Sequence, residues 1–358
     1  MNYSAPVEWL LDPANPSCRL HALREVFDRP ESDPEVQQAR TALLASQPVV
    51  SAFAARSEDG SWGDLSGADA PRGTAWMLSW LLLLGVPARD ARMIQGARAL
   101  IASRQMRDRP ALRDWPGGAY GVSKHAGDVA SCVTGDNLAL ALSILGPLEE
   151  NRLAVLWLLR HQRHDGGWLH CHRWSWRARS RGVLPSRWKL SWPEESDPSV
   201  RSCRFGTFRA MRALATLPEE LRDEHVRRAI TRGAEFFLAR GVTGSEENPG
   251  TDVIPKAKAF NAGFALLGTP VRQTLDMLAV ARLLTDLGYG ADPRLSQTAT
   301  RIRHLQEKDG RWRCESNGPG MWPGDEPSAD AGAKRVTIAA IALLRRVARS
   351  HGLEMSLG

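Results

Sequence analysis

The chain of 358 residues is 43% hydrophobic and 24% charged, a balance that excludes a disordered polypeptide and leaves enough apolar material for a large core. Its longest apolar run, Ala75 to Val86, is broken by Ser79 and Gly85 and falls short of the ~20 residues that cross a bilayer; with no basic and apolar leader around Glu8 and Asp12, a cytoplasmic protein without a transmembrane segment is expected. The net charge of +7 comes from 47 Lys and Arg, six of them Lys; such an Arg surplus suits phosphate or polyanion binding, and equally fits a GC-rich genome that writes Arg for Lys.

In chain order, residues 1–34 read as an N-terminal helical extension and residues 35–358 as one helical domain with an insertion at 173–198. A helix-periodic segment, Gln37 to Arg56, leads into Glu58-Asp59-Gly60-Ser61-Trp62, and a more apolar helix, Thr74 to Leu84, follows. A degenerate turn, Trp115 to Tyr120, precedes the apolar helix Thr134 to Leu145. The next outer segment, Leu153 to Arg163, ends in His164-Asp165-Gly166-Gly167-Trp168. Glu224 to Arg240 and Thr274 to Leu287 form a pair without the turn. Leu295 to Lys308 then enters Lys308-Asp309-Gly310-Arg311-Trp312, and Val336 to Val347 is the last apolar helix.

The unit is therefore an outer helix, a Gly turn, a loop and an inner helix. Gly after Asp supplies the positive-φ position that stops the first helix, and the Trp two residues later covers the end of the pair. One such pair cannot bury both of its faces. Stacked pairs can, as an open solenoid or as a closed ring, and the Gly-x-Trp turn favours the ring.

Asp59 to Trp62, Gln162 to Trp168 and Gln306 to Trp312 resemble the Gln-and-Trp repeats of squalene-hopene cyclases. The β subunits of protein prenyltransferases share the same ring with weaker repeats. The resemblance covers about residues 35 to 348 and implies an all-α fold, an α/α toroid of about five to six helix pairs in a single ring. It further implies a cyclase or prenyltransferase-like enzyme, an isomerase or transferase, acting on an isoprenoid or another hydrophobic or diphosphate-bearing small molecule in a central cavity. The alternative is a non-catalytic helical ring that holds a ligand or a partner, since such repeats specify a fold better than a reaction.

The Asp-x-Asp-Asp motif of squalene-hopene cyclases is absent. The nearest stretch, Asp325 to Asp330, precedes the last inner helix, where Asp330 is either an acid raised by neighbouring carboxylates or the cap of a helix starting at Ala331. Asp136, Asn137 and Asp276 are polar residues in otherwise apolar inner helices and must find partners or touch a ligand. Asp276, Asp136 and Asp330 are accordingly the catalytic candidates.

Five widely spaced cysteines, Cys18, Cys132, Cys171, Cys203 and Cys314, argue for metal binding, chemistry or packing over a disulfide framework. The likeness to prenyltransferases implies a zinc at the mouth of the ring. The repeat register places Cys132 and Cys203 at the starts of successive inner helices, and Cys171 follows the Trp168 turn. Cys132, Cys171 and Cys203 with His172, or with His170, would suit zinc, while buried packing is the alternative.

Between Cys171 and Cys203 four tryptophans interleave with seven Lys and Arg. Trp174, Trp176, Arg177 and Trp188 are candidates for a lid over a diphosphate and an aromatic-lined cavity, or for a loop sealing the outside of the ring. Nucleic acid is not the expected partner, because no recognisable module or broad basic face accompanies the insertion.

Overall fold

A computed structural model describes residues 2–3, 6–63, 73–107, 117–121, 129–169, 202–242, 267, 276–315 and 329–357. Among these, thirteen α-helices follow one another: α1 Val7–Leu10, α2 Pro16–His21, α3 Pro34–Ala45, α4 Gln47–Ala54, α5 Thr74–Leu84, α6 Ala91–Arg104, α7 Ser131–Leu145, α8 Glu149–Arg160, α9 Arg204–Thr216, α10 Glu224–Leu238, α11 Met277–Asp286, α12 Pro293–His304 and α13 Ala329–Ser350. A π-helical turn, Ala22–Val26, extends α2, and the short strands β1 Asn2–Tyr3 and β2 Ser356–Leu357 pair in parallel. None of the described helices is long and apolar enough to cross a membrane.

Four of the outer helices are set by aspartate caps. Asp33, Asp90, Asp223 and Asp292 each accept a backbone N–H from the first turn of α3, α6, α10 and α12, at 2.8 to 2.9 Å. The first outer element, expected as one helix from Gln37 to Arg56, is two helices. Ser46 is extended (ψ 145°) and Pro48 occupies the first turn of α4; proline has no N–H to continue the ladder, so the helix stops and restarts.

The Gly–Trp turn repeats down to its hydrogen bonds. Gly60, Gly118, Gly166 and Gly310 all have φ between 81° and 89°. Trp62, Trp168 and Trp312 are fully buried, and each indole N–H donates to the carbonyl ten residues earlier, Ala52, Leu158 or Ile302, at 2.6 to 2.8 Å. Each Trp backbone N–H donates to a threonine hydroxyl on the next inner helix, Thr74, Thr207 or Thr337; Tyr120 does the same to Thr134. Gln162 ties the turn to the carbonyl of Ala229 on α10 and Gln105 to Glu150 on α8, while Arg56 replaces glutamine and reaches Arg92 on α6. The first three turns thus lock their own outer helix, the following inner helix and the next outer helix together, and the fourth joins α12 to α13. Gly166 is obligatory here, because a Cβ would lie 2.4 Å from the Arg232 carbonyl.

The inner helices α5, α7, α9, α11 and α13 carry the core. α7 packs closely along α9, where a Cβ on Gly135 would come within 2.5 Å of the Arg209 backbone. The ring closes through the N-terminal segment. The Ser17 hydroxyl donates to the Leu84 carbonyl at the end of α5, and His21 Nε2 meets the Leu83 carbonyl. On the other side the Trp9 indole donates to Asp330, Lys334 pairs with Asp12, and Arg345 with Asp28, all on α13. Cys18, Ala22 and Val26 share one buried cluster with α13. The fold is an all-α toroid, with six inner elements when α2 and its π turn are counted among the described residues.

Candidate functional site

Asp276 is the cap of α11. Its carboxylate accepts the backbone N–H of Ala279 at 2.8 Å, which distinguishes α11 from α5, α7 and α9, whose preceding residues Gly73, Ala130 and Cys203 make no side-chain cap. The carboxyl is buried and lines a cavity of about 100 Å³ between α11, α13, the end of α5 and the π turn. Apolar Leu83, Leu278, Ala279, Ile338 and Ala339 line it together with His21, Glu25, Arg282 and Arg335.

Three of those polar residues, His21, Glu25 and Arg282, form a chain across the ring seam. His21 Nδ1 lies 2.9 Å from Glu25 Oε1, and Arg282 Nη2 donates to Glu25 Oε2 at 2.7 Å. Burial alone would raise the Glu25 carboxyl, but the His21 hydrogen bond and the charges of Arg282 and His21 override it and hold the group at about 2. Glu25, His21 and Arg282 escaped the sequence reading because the π turn that aims Glu25 inward has no sequence signature. Arg282 did leave a signal, as the single Arg within the apolar segment Met277 to Leu284.

Asp136 sits elsewhere. Its Oδ2 lies 3.0 Å from Arg209 Nε and its Oδ1 accepts from Arg212 Nη2 at 2.6 Å; the Asp136 and Arg209 side chains are 1% and 4% exposed. The Arg209 guanidinium in turn covers the Phe205 ring at 3.7 Å. Two guanidiniums on α9 thus occupy both oxygens of a carboxylate on α7, an arrangement that fixes the two helices in register and turns no carboxyl oxygen toward the cavity. Asn137 is fully buried beside it.

Asp330 belongs to the ring seam. α13 starts at Ala329, so Asp330 lies inside its first turn and does not cap a helix beginning at Ala331. Its carboxylate accepts the Trp9 indole N–H at 2.7 Å and pairs with Lys334 at 3.2 Å, and Lys334 reaches Asp12 at 2.8 Å. Burial pushes the Lys334 ammonium down, and the hydrogen bonds to Asp12 and Asp330 more than reverse it. The Arg311 guanidinium stacks over the Trp9 ring at 4.2 Å. The catalytic candidates Asp276, Asp136 and Asp330 therefore occupy three separate settings, and only Asp276 lines the cavity.

Of the thiols, Cys132 opens α7 and Cys203 precedes α9, both buried; the Cys203 N–H donates to the Trp168 carbonyl at 2.9 Å. Both therefore stand at the N-terminal ends of two packed inner helices, as their register implies. Among the described residues no group of three or more His, Cys, Asp or Glu is placed to hold a metal ion. Cys18 is fully buried against the Ala331 carbonyl, and burial pushes its thiol up, which makes it a packing residue. His170, Cys171, His172, Trp174, Trp176, Arg177 and Trp188 lie outside the described residues.

No protein-family profile matches the chain, and no curated protein matches it. Among solved structures it is similar to the type II terpene cyclase MstE from Scytonema in its apo form, at 15% identity and a TM-score of 0.47 over 96% of this chain and 89% of that one. It is also similar to an apo variant of the same cyclase, at 15% identity and a TM-score of 0.46 over 97% and 88% of the two chains. A third similar structure is a variant of MstE in complex with geranylgeranyl dihydroxybenzoate, its substrate, at 15% identity and a TM-score of 0.46 over 97% and 91%.

Proposed function

We propose that this chain is a cyclase or prenyltransferase-like enzyme that acts on an isoprenoid or another hydrophobic metabolite. The observation that carries the reading is the cavity beside Asp276, in which this buried carboxyl group shares the lining with aliphatic side chains and with Glu25, His21, Arg282 and Arg335. That pairing suits a hydrocarbon end of a substrate next to a proton-transfer group. At about 100 Å³ the cavity is smaller than the ~150 Å³ that accepts a benzene ring, so it takes one end of the substrate. Asp276 moves a proton at its carboxyl, and Arg282 and Arg335 orient it or the substrate's polar end.

A zinc at the mouth extends the same proposal. Cys132 and Cys203 would supply two ligands from neighbouring helix ends, where the N-terminal dipole favours a thiolate, with Cys171 and His172 as the others. Bound there, zinc would act as a Lewis acid or activate a thiol.

A second reading, a ligand-holding ring without chemistry, has one observation in its favour: every α7 residue from Ser131 to Leu142 is buried, so that helix presents no side chain to an open chamber. One experiment separates the readings. Purified protein, its zinc content measured after desalting, is incubated with geranylgeranyl dihydroxybenzoate and with geranylgeranyl diphosphate, and the extracts are analysed by mass spectrometry. A cyclase yields a product isomeric with its substrate, a transferase supplied with a thiol acceptor joins the prenyl carbon to sulfur and releases diphosphate, and a binding protein returns the ligand unchanged. Asp276→Asn is expected to lower turnover by about 100-fold or more, the size of a lost acid–base contribution. Unaltered turnover in that variant removes Asp276 from the mechanism, and under a tenth of an equivalent of zinc per chain removes the metal.

A further inference from the structure

At the C-terminal ends of α11 and α13, beyond the cavity of Asp276, a groove of about 550 Å³ is lined by Arg24, Arg29, Arg282, Arg345, Arg346 and Arg349. Apart from Pro30 and Ala342, every lining residue is charged, and the six guanidiniums face three carboxylates, those of Glu25, Asp28 and Glu31. This volume lies within the ~300–1,000 Å³ of small-molecule sites, which are usually apolar. A groove of this size without apolar walls selects a hydrophilic, anionic occupant. Cations in the last turn of α13 complement the helix dipole, but that does not bring Arg24, Arg29 and Arg282 from two other elements to the same concavity.

The groove already contains the protein's own version of such an occupant. Asp28 follows the π turn with a left-handed backbone, φ 52°, and its carboxylate is held between Arg345, at 2.7 Å, and Arg349. One N–H from each guanidinium converges on the same oxygen, Asp28 Oδ2, the charge-assisted contact that a phosphate oxygen would accept in its place. On the opposite lip Arg24 pairs with Glu31 at 2.5 Å and Arg29 with Asp33 at 3.4 Å, and both guanidiniums are about half exposed. Exposed pairs of this kind exchange partners at little cost, so a multiply charged ligand can recruit them where the single charge of Asp28 does not.

We propose that this groove is a binding site for a phosphate-bearing ligand, with Arg345 and Arg349 as its inner fork, Arg24 and Arg29 as its outer lip, and Asp28 as the internal anion that the ligand displaces. It is distinct from the cavity of Asp276, whose lining includes Leu83, Leu278, Ile338 and Ala339, although the two share Glu25 and Arg282.

Isothermal titration of the full chain with inorganic phosphate and pyrophosphate at constant ionic strength tests the site. Pyrophosphate is expected to bind more tightly than phosphate. The double variant Arg345→Gln/Arg349→Gln is expected to bind it about tenfold more weakly or worse, the loss of charge-assisted hydrogen bonds. Because those two arginines also close the ring, Arg24→Gln/Arg29→Gln, on the exposed lip, is measured in parallel and is expected to weaken binding with an unchanged circular dichroism spectrum. Asp28→Asn is expected to tighten it. Flotation with phosphatidylglycerol vesicles identifies the source of the phosphate: co-flotation that is lost in the lip variant points to a lipid headgroup, and pyrophosphate binding alone points to a free ligand. Pyrophosphate affinity and stoichiometry unchanged in both double variants, or no binding of pyrophosphate and no flotation by the wild type, would overturn the assignment. Asp28→Asn that fails to tighten binding overturns the placeholder.

Discussion

His161 shows how much one buried side chain couples to pH in this fold. It follows α8, stacks on the Trp157 ring at 3.9 Å and places Nδ1 2.7 Å from the Trp157 carbonyl. Burial pushes the imidazole down to about 4, further aided by the Arg160 charge and opposed by the Trp157 carbonyl. The unfolded chain takes up a proton near 6.5 while the folded one stays neutral until about 4, so stability falls as pH drops through that interval, by roughly 3 kcal/mol at most. Urea unfolding of wild type and His161→Phe at pH 7 and pH 4.5 should show a large drop in the first and a smaller one in the second; equal drops refute the assignment. The chemistry of single residues was unevenly legible. Asp276 announced itself as a polar residue in an apolar stretch, whereas the partners that surround it depend on a π turn and on side chains 257 positions apart, which no local pattern encodes. Asp136 was legible as buried and polar, but its arginines sit a whole repeat later, on α9.

Among elements, the turns were readable because the Asp-Gly-x-Trp chemistry is local. The threonines that receive the Trp and Tyr N–H groups were not, because the spacing from aromatic residue to threonine is 12, 14, 39 and 25 residues in the four copies. Insertions of variable length between turn and inner helix hide the second half of the motif while leaving its geometry intact. The Ser46 break in the first outer helix was likewise present in the sequence as Pro48 and was outweighed by the periodicity around it. The tightest contact between elements is that of α7 with α9 at Gly135. Gly135→Ala forces a Cβ against the Arg209 backbone, so about 1–3 kcal/mol of destabilisation is expected, read as a lower midpoint in chemical denaturation. A variant as stable as the wild type would mean that the helices can part without cost.

For the whole molecule, the single ring was legible from the repeats, but the way it shuts was not. Closure falls to the N-terminal segment, whose His21, Glu25 and Asp28 side chains reach α5, α11 and α13. Glu25 joins this seam by charge, bonded to His21 and to Arg282. Because its folded-state value is about 2 against an ordinary 4.5, its contribution is complete above 4.5 and is lost as pH falls toward 2. Glu25→Gln should therefore cost about 2 kcal/mol at pH 7, the size of a lost hydrogen bond to a charged group, with the gap to wild type narrowing below pH 4. A constant gap down to pH 2 would place the effect elsewhere.

The contacts that bind Trp9, Asp12 and Asp28 to α13 span more than 300 positions, and this governs how the protein comes into being. They cannot form until α13 has been synthesised, so the apolar faces of Leu10, Cys18, Ala22 and Val26 stay uncovered while the intervening residues are made. Such long-range pairing slows folding and leaves sticky surface exposed meanwhile. Closure of this seam, rather than the strength of any one helix, is then the late step of folding.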